Sequence, residues 1–309
     1  MSFANYMMNF GILAGFYAFA MVLLRPVLLR LFTAQQRVVL WWACVGLLYL
    51  PNRARTVGQM HLFFPHLQLP VHLAQLVTNQ TWQESMYVSP GPYYVDLEQW
   101  IKPLYLNIFY VGGALLIVLW LIYQTVQSNK LRYLGVEISK DDPCVKHTEC
   151  DFIHEIYVVD GIQTSFVDGF NNIFLQKISS PQRMYQILLH EAEHIHLRHA
   201  NIKCVFSCLL LMHWWNPLLW LGFRYMLRDM ELACDSAVLE KLNPAERIEY
   251  TKTLVELGCG RQLWTQPLCF GECDAEIRVK AALKWKPQGM WLRWGRFAMM
   301  AVVIWFFHG

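Results

Sequence analysis

The chain has 309 residues, of which 55% are hydrophobic and 16% charged, and its formal net charge is +3. Soluble domains contain about 25% charged residues, so this composition excludes a disordered chain or a protein that wraps nucleic acid, and it favours a membrane protein. The nine cysteines form no C-x-x-C pair, which excludes a readable disulfide framework and a cysteine zinc knuckle.

Four apolar stretches predict transmembrane helices, at about residues 8–30, 33–50, 104–123 and 290–309, with an extracellular loop at 51–103. A bilayer core requires about 20 helical residues, and the third stretch matches this length most cleanly. The first stretch has no basic region before it and no small-residue cleavage site after it, so we interpret it as a retained span rather than a signal peptide.

Basic residues predict how the spans are oriented. If the four spans alternate, three groups of basic residues fall on one side. Arg25, Arg30 and Arg37 lie around the connection of the first two spans, with Arg37 snorkelling from the start of the second. Lys130 and Arg132 follow the third span, and Lys284, Lys286, Arg293 and Arg296 lie before and at the start of the fourth. The positive-inside rule makes this side the cytoplasm. We therefore expect a multi-pass protein of the cell membrane, with residues 124–289 in the cytoplasm.

The most informative motif is His-Glu-Ala-Glu-His at residues 190–194, which has the pattern H-E-x-x-H. On a helix, residues i and i+4 share a face, so His190 and His194 can bind one metal ion. Glu191 can reach a water bound to that metal, and zinc lowers the pKa of such a water to about 7. The motif therefore predicts zinc as cofactor and Glu191 as the catalytic base.

The residues around the motif predict the fold of its domain. Ser180 followed by Pro181 indicates the start of a helix, as an N-cap and a proline at the first helical position. Residues 155–160 and 172–175 are rich in β-formers and bounded by turn residues. A strand before an H-E-x-x-H helix is typical of zincins, in which an edge strand can hold an extended peptide. The fold class is thus a mainly α polytopic membrane protein with a cytoplasmic α+β zincin-like domain.

A third zinc ligand must come from outside the motif. The metzincin position, six residues after His194, is Ala200, and His199 lies about 140° round a continuous helix from His194, so His199 is interpreted as an interface residue or an outer partner of a ligand. Glu231 and Asp235 share a helical face, and one could bind the metal while the other orients a histidine ligand. The alternative is that both are solvated helix charges.

The apolar stretch 201–227 decides whether Glu231 can reach the motif, because a single membrane crossing would separate them. Asn216-Pro217 interrupts this stretch, and proline breaks a helix while the residue before it leaves the α region. We therefore predict an apolar helical hairpin at 201–227, with two short helices that are monotopic or packed on the spans. This hairpin returns Glu231 to the cytoplasmic side.

These features resemble the BlaR/MecR-type integral-membrane zinc peptidases, the antirepressor family of β-lactam resistance. The resemblance extends from the first span to the fourth. It rests on the predicted strand pair, the H-E-x-x-H motif, the apolar Asn216-Pro217-Leu218 stretch and the E-x-x-C-D block of Glu231, Cys234 and Asp235.

The resemblance implies a zinc endopeptidase in transmembrane signalling. His190, His194 and Glu231 would bind zinc, and Glu191 would act as the base. The substrate would be a cytoplasmic protein, which in the best-known members is a winged-helix transcriptional repressor. The expected partners are therefore a protein substrate and the lipid bilayer, with a separate sensing partner possible and with no direct contact to nucleic acid.

Three departures from the family pattern refine this expectation. No S-x-x-K motif of the family's C-terminal penicillin-binding sensor domain is present, so we expect no direct acylation by a β-lactam. The turn at residues 169–172 is Gly-Phe-Asn-Asn, without the family's usual proline, and no Arg-Arg autocleavage pair occurs. Two other functions stay open: a quality-control zinc protease for membrane proteins, and a non-catalytic sensor with a structural zinc, which Glu191 disfavours.

Overall fold

The computed structural model describes residues 3–42, 101–139, 153–259 apart from 163 and 179, 274–287 and 295–301, and the single positions 97, 142 and 145. The helices are α1 (Phe3–Leu23), α2 (Arg25–Leu31), α3 (Ala34–Trp41), α4 (Pro103–Leu134), α5 (Pro181–His196), α6 (His199–Met212), α7 (Pro217–Lys241), α8 (Pro244–Cys259) and α9 (Asp274–Leu283). The strands are β1 (Val136–Glu137), β2 (Ile156–Val159), β3 (Phe166–Val167) and β4 (Ile173–Gln176). The prediction of a mainly helical chain with a small sheet is confirmed.

Helix α4 is the one helix of the described residues that is long and apolar enough by itself to cross a membrane. Its 32 residues extend over about 48 Å, well beyond the roughly 30 Å of a bilayer core, and its apolar side chains are mostly exposed. Most of the predicted loop 51–103, residues 43–50 and most of 290–309 lie outside the described residues. The topology with four spans therefore stays a prediction.

The first predicted span is not one continuous helix. The end of α1 and the whole of α2 together are apolar enough to span, but they are bent by 64° at Leu24. Pro26 explains the bend, because its ring nitrogen has no hydrogen to donate to the carbonyl of Val22 and its ring crowds that carbonyl. The predicted span over residues 8–30 is therefore bent rather than one straight helix, and the helix axis turns before Arg25.

The small sheet confirms both predicted strands. Its order is β1-β2-β4-β3, with β2 and β4 parallel and the two outer pairs antiparallel. Ile173 and Leu175 of β4 pack with Ile187 and Leu188 of α5 in one buried cluster. Helix α5 therefore lies on the sheet. Strands β1 and β3 form the two edges of the sheet.

The turn before β4 needs no proline. The Asp168 carboxylate accepts hydrogen bonds from the backbone nitrogens of Phe170 and Asn172, at 2.8 and 2.9 Å. Asn171 adopts a left-handed conformation with φ 62°, which asparagine tolerates better than most residues. These contacts hold the turn that joins β3 to β4 without a proline.

Helices α6 and α7 fold back on each other at the predicted break. Helix α6 ends at Met212, and Asn216 caps α7 by accepting a hydrogen bond from the Leu218 nitrogen at 2.9 Å. Phe206 and Phe223 stack across the pair with ring centroids 6.3 Å apart. The second helix is not short, however: it continues without interruption to Lys241.

The tip of this hairpin is enclosed by α1 and α4. Asn216 donates a hydrogen bond of 2.7 Å to the Gly11 carbonyl, and the Trp214 indole donates one of 3.2 Å to the Tyr110 carbonyl. A side chain at Gly15 would collide with Asn216, since a Cβ there would lie 2.4 Å from its Nδ2 atom. The neighbouring helices thus supply hydrogen-bond partners for Asn216 and Trp214 at the helix break.

A buried charge cluster joins the N-terminal helices to α7. Asp229 is fully buried and accepts hydrogen bonds from Arg25 at 2.9 and 3.0 Å, from Arg37 at 2.9 Å and from the Trp41 indole at 3.1 Å. The expectation that Arg37 snorkels is therefore wrong, because a buried carboxylate satisfies its guanidinium. The connection between α1 and α3 thus lies beside the part of α7 that contains Glu231.

Candidate metal centre

The two motif histidines lie on one face of α5, as their spacing requires. Both are buried, and their rings meet edge to face with centroids 5.0 Å apart. Ser180 caps α5 by accepting a hydrogen bond from the Arg183 nitrogen at 3.5 Å, and Pro181 occupies the first turn. The packing of α5 on β4 holds the histidine face toward α7.

Glu231 of α7 reaches both histidines. Its Oε2 atom lies 3.4 Å from Nε2 of His190, and its Oε1 atom lies 3.5 Å from Nε2 of His194. A tetrahedral zinc ion with bonds of about 2.0–2.1 Å separates two of its ligand atoms by about 3.3 Å. The three side chains therefore fit a zinc ion, and two nitrogens with one carboxylate oxygen are a donor set of catalytic zinc sites.

Glu191 is buried beside this group. Burial raises its pKa above the usual value, although the charge of His190 opposes the shift. A carboxylate with a raised pKa is a better proton acceptor near neutral pH than an exposed one. The environment of Glu191 thus suits the predicted catalytic base.

Asp235 lies behind His190, on the side away from Glu231. Its Oδ1 atom is 3.2 Å from Nδ1 of His190 and accepts a hydrogen bond of 2.7 Å from the Tyr250 hydroxyl. Burial and the charge of Arg278 lower the pKa of His190, but hydrogen bonds with Asp235 and Glu231 outweigh them and raise it to about 9. A carboxylate at Nδ1 directs Nε2 of a histidine ligand toward the metal, which is the arrangement predicted for Asp235.

Two residues at the site were not found from the sequence. Arg278 of α9 donates to both carboxylate oxygens of Asp235 at 2.7 Å and lies 3.0 Å from Glu231. Tyr250 of α8 lies 3.0 Å from Nδ1 of His190. The one sequence signal for Arg278 is a charge between Ile277 and Val279, which does not distinguish a buried arginine from a surface one.

His199 lies closer to the site than helical spacing predicts. Its Nδ1 atom is 3.1 Å from Nδ1 of His194 and 3.4 Å from the sulfur of Cys234. The estimate of 140° assumed one continuous helix, but α5 ends at His196 and Arg198 adopts a left-handed conformation with φ 53°. This interruption of the helix places His199 beside His194. Burial lowers the pKa of His199 to about 3.

Comparison with known proteins gives the family. The sequence model of the family described as BlaR1 peptidase M56 matches residues 6–283. The chain is also 28% identical over 99 residues to the regulatory protein BlaR1 of Bacillus licheniformis, an alignment that covers 32% of this chain and 16% of that protein. The chain thus aligns with a small part of this curated relative. The match over most of its length shows that the chain belongs to the BlaR1 peptidase M56 family.

Proposed function

We propose that the chain is an integral-membrane zinc endopeptidase of transmembrane signalling. The observation that carries the proposal is the convergence of His190, His194 and Glu231, from two helices far apart in the sequence, at distances that suit one zinc ion. Zinc bound there would polarise the scissile carbonyl and activate a water molecule. Glu191 accepts the proton of the attacking water and then donates it to the leaving amine.

Arg278 and Asp235 support this chemistry. Asp235 holds His190 in the tautomer whose Nε2 is free for the metal. The Arg278 guanidinium forms an ion pair with Asp235, and the Nη2 atom of Arg278 lies 3.4 Å from Nε2 of His190. It therefore borders the metal position, where a fixed cation stabilises the negative charge that develops on a carbonyl oxygen during attack.

The sheet offers a place for the substrate. Strand β3 is an edge of the sheet and lies next to α5. An extended segment of substrate can add to such an edge through backbone hydrogen bonds. We expect the scissile segment to bind along β3, which would bring it beside the H-E-x-x-H helix.

The substrate class follows from the family and the expected orientation. The relative found by comparison is described as a regulatory protein, which supports a signalling role rather than general protein turnover. The proposed substrate is a cytoplasmic protein such as a transcriptional repressor. A structural zinc site does not need a base beside its ligands, so the buried Glu191 disfavours a non-catalytic sensor.

This function is tested by expressing the wild type and Glu191→Gln in matched bacterial cells and comparing the N-termini of their cytosolic proteins. New N-termini should appear in a small set of proteins with the wild type alone. Identical sets of N-termini in the two strains would contradict an endopeptidase that acts on cytoplasmic proteins.

The zinc site makes a separate prediction. The purified protein should contain one zinc ion per chain, and His190→Ala, His194→Ala or Glu231→Ala should each strongly lower the zinc content measured by elemental mass spectrometry. Because the metal-free His190 has a pKa of about 9 and must lose its proton to bind, zinc affinity should rise with pH up to that value. Full zinc occupancy in Glu231→Ala would show that Glu231 is not the third zinc ligand.

The topology makes another prediction, supported by the contact of Asp229 with Arg25 and Arg37. The α6–α7 hairpin should enter and leave on the cytoplasmic side, so a single engineered cysteine at Lys241 should resist a membrane-impermeant thiol reagent in intact cells. One at Gln80, in the predicted extracellular loop, should react. If Lys241→Cys reacts from outside while a cysteine near His199 does not, the stretch crosses once and the proposed active site cannot form.

A further inference from the structure

We infer that His199 is a positioning residue, which holds the zinc ligand His194 through its second ring nitrogen. The inference rests on the proposed zinc site. The two nitrogens of His194 have different neighbours: Nε2 lies 3.5 Å from Glu231, and Nδ1 lies 3.1 Å from Nδ1 of His199. The contact between His194 and His199 is made away from bulk water, since both side chains are buried.

The proton positions follow from the donor inventory of imidazole. A metal-binding Nε2 has no hydrogen, so a neutral His194 carries its hydrogen on Nδ1 and must donate it. Nδ1 of His199 is the acceptor within reach, so His199 carries its own hydrogen on Nε2. The sulfur of Cys234 lies 3.4 Å from the same Nδ1 atom, whose single lone pair already accepts the hydrogen of His194. Each ring is thereby limited to one tautomer.

The same three side chains could in principle hold a second metal ion, because one ligand atom from each lies within 4.8 Å of the others. That would require His194 to lose both of its hydrogens while zinc occupies Nε2. It would also require Cys234, which is fully buried, to lose its hydrogen. A hydrogen-bonded chain needs neither change, so the geometry favours it.

The two histidine ligands are therefore supported differently. His190 has the carboxylate of Asp235 behind it, whereas His194 has a neutral imidazole. A carboxylate partner makes a histidine ligand more basic and strengthens its bond to a metal, and outer partners of this kind commonly change metal affinity by about 10–100-fold. His194 is thus the weaker ligand of the pair, and the residue at position 199 sets its strength.

Three substitutions separate this role from a purely structural one. Asparagine and aspartate place an oxygen close to the position of the histidine Nδ1, while alanine removes the acceptor. In the full-length protein, zinc affinity measured by competition with a chelator should fall roughly 10–100-fold in His199→Ala, stay near wild type in His199→Asn and rise in His199→Asp. His196→Ala, at an exposed histidine three residues away, is the matched control and should bind zinc as the wild type does.

The outcomes are distinguishable. If the wild type binds no zinc, the proposed function fails and the inference fails with it. If the wild type binds one zinc but the three His199 variants bind it equally tightly, the positioning role alone is wrong. The positioning role would also be overturned if each chain bound a second metal ion through Cys234. In that case the protein loaded with cobalt in place of zinc would show a sulfur-to-cobalt charge-transfer band, and the band would disappear in Cys234→Ser but not in Cys204→Ser.

Discussion

Replacing Glu191 by glutamine should slow peptide-bond cleavage by about 10²–10⁴-fold while the protein keeps its zinc, because an amide cannot accept the proton of the attacking water. Glutamine has nearly the shape of glutamate, and Glu191 is not one of the three proposed ligands. The measurement is the initial rate on a substrate found by the N-terminal comparison, together with the zinc content of the same preparation.

Glu193 provides the matched control within the motif. It is buried two residues further along α5, but it forms an ion pair of 2.5 Å with Lys241 rather than lying among the proposed ligands. Glu193→Gln can still accept a hydrogen bond from Lys241, so its cleavage rate should stay within a few-fold of the wild type. An unchanged rate in Glu191→Gln would rule out the zincin mechanism.

Replacing Asp229 by alanine should destabilise the fold by about 3–5 kcal/mol, the usual cost of removing one partner from a buried ion pair. The substitution leaves Arg25 and Arg37 without the carboxylate that both contact, and the Trp41 indole loses its acceptor. The thermal unfolding midpoint of the purified protein in detergent should fall accordingly. Because α7 also holds Glu231, zinc loss should accompany unfolding.

The exposed pair of Glu276 and Lys280 on α9 is the control for this second prediction. Water already solvates both of its charges, so Glu276→Ala should change the midpoint little. A midpoint of Asp229→Ala equal to that of Glu276→Ala would show that the buried cluster does not join α7 to the N-terminal helices. The same result would remove a support for the proposed topology.

A rule that counts basic residues near predicted spans cannot distinguish an exposed arginine from one that is buried in an ion pair. The positive-inside rule uses Arg25 and Arg37 only as charges that mark the cytoplasmic side. In the structure, both arginines bind Asp229, which lies 204 residues from Arg25 and 192 residues from Arg37 along the chain. The positive-inside rule concerns the side of the membrane, and it contains no information about which arginine has a carboxylate partner.

The sequence by itself determined the local features: the shared face of His190 and His194, the helix start at Ser180, the two strands before it and the helix break at Asn216. Each depends on residues a few positions apart, whose relative placement is set by the period of a helix or strand and by the chemistry of caps and proline. From the sequence alone, the convergence of Glu231 with the two histidines is only a hypothesis.

Only the tertiary structure decided which distant side chains meet around the motif. Arg278 and Tyr250 reach Asp235 because α8 and α9 pack against α7. His199 reaches His194 because Arg198 interrupts the helix with a left-handed conformation. No periodic pattern encodes these contacts, since each depends on how whole helices pack and on a backbone conformation that arginine rarely adopts. Long-range packing, rather than local spacing, therefore builds the surroundings of the candidate metal centre.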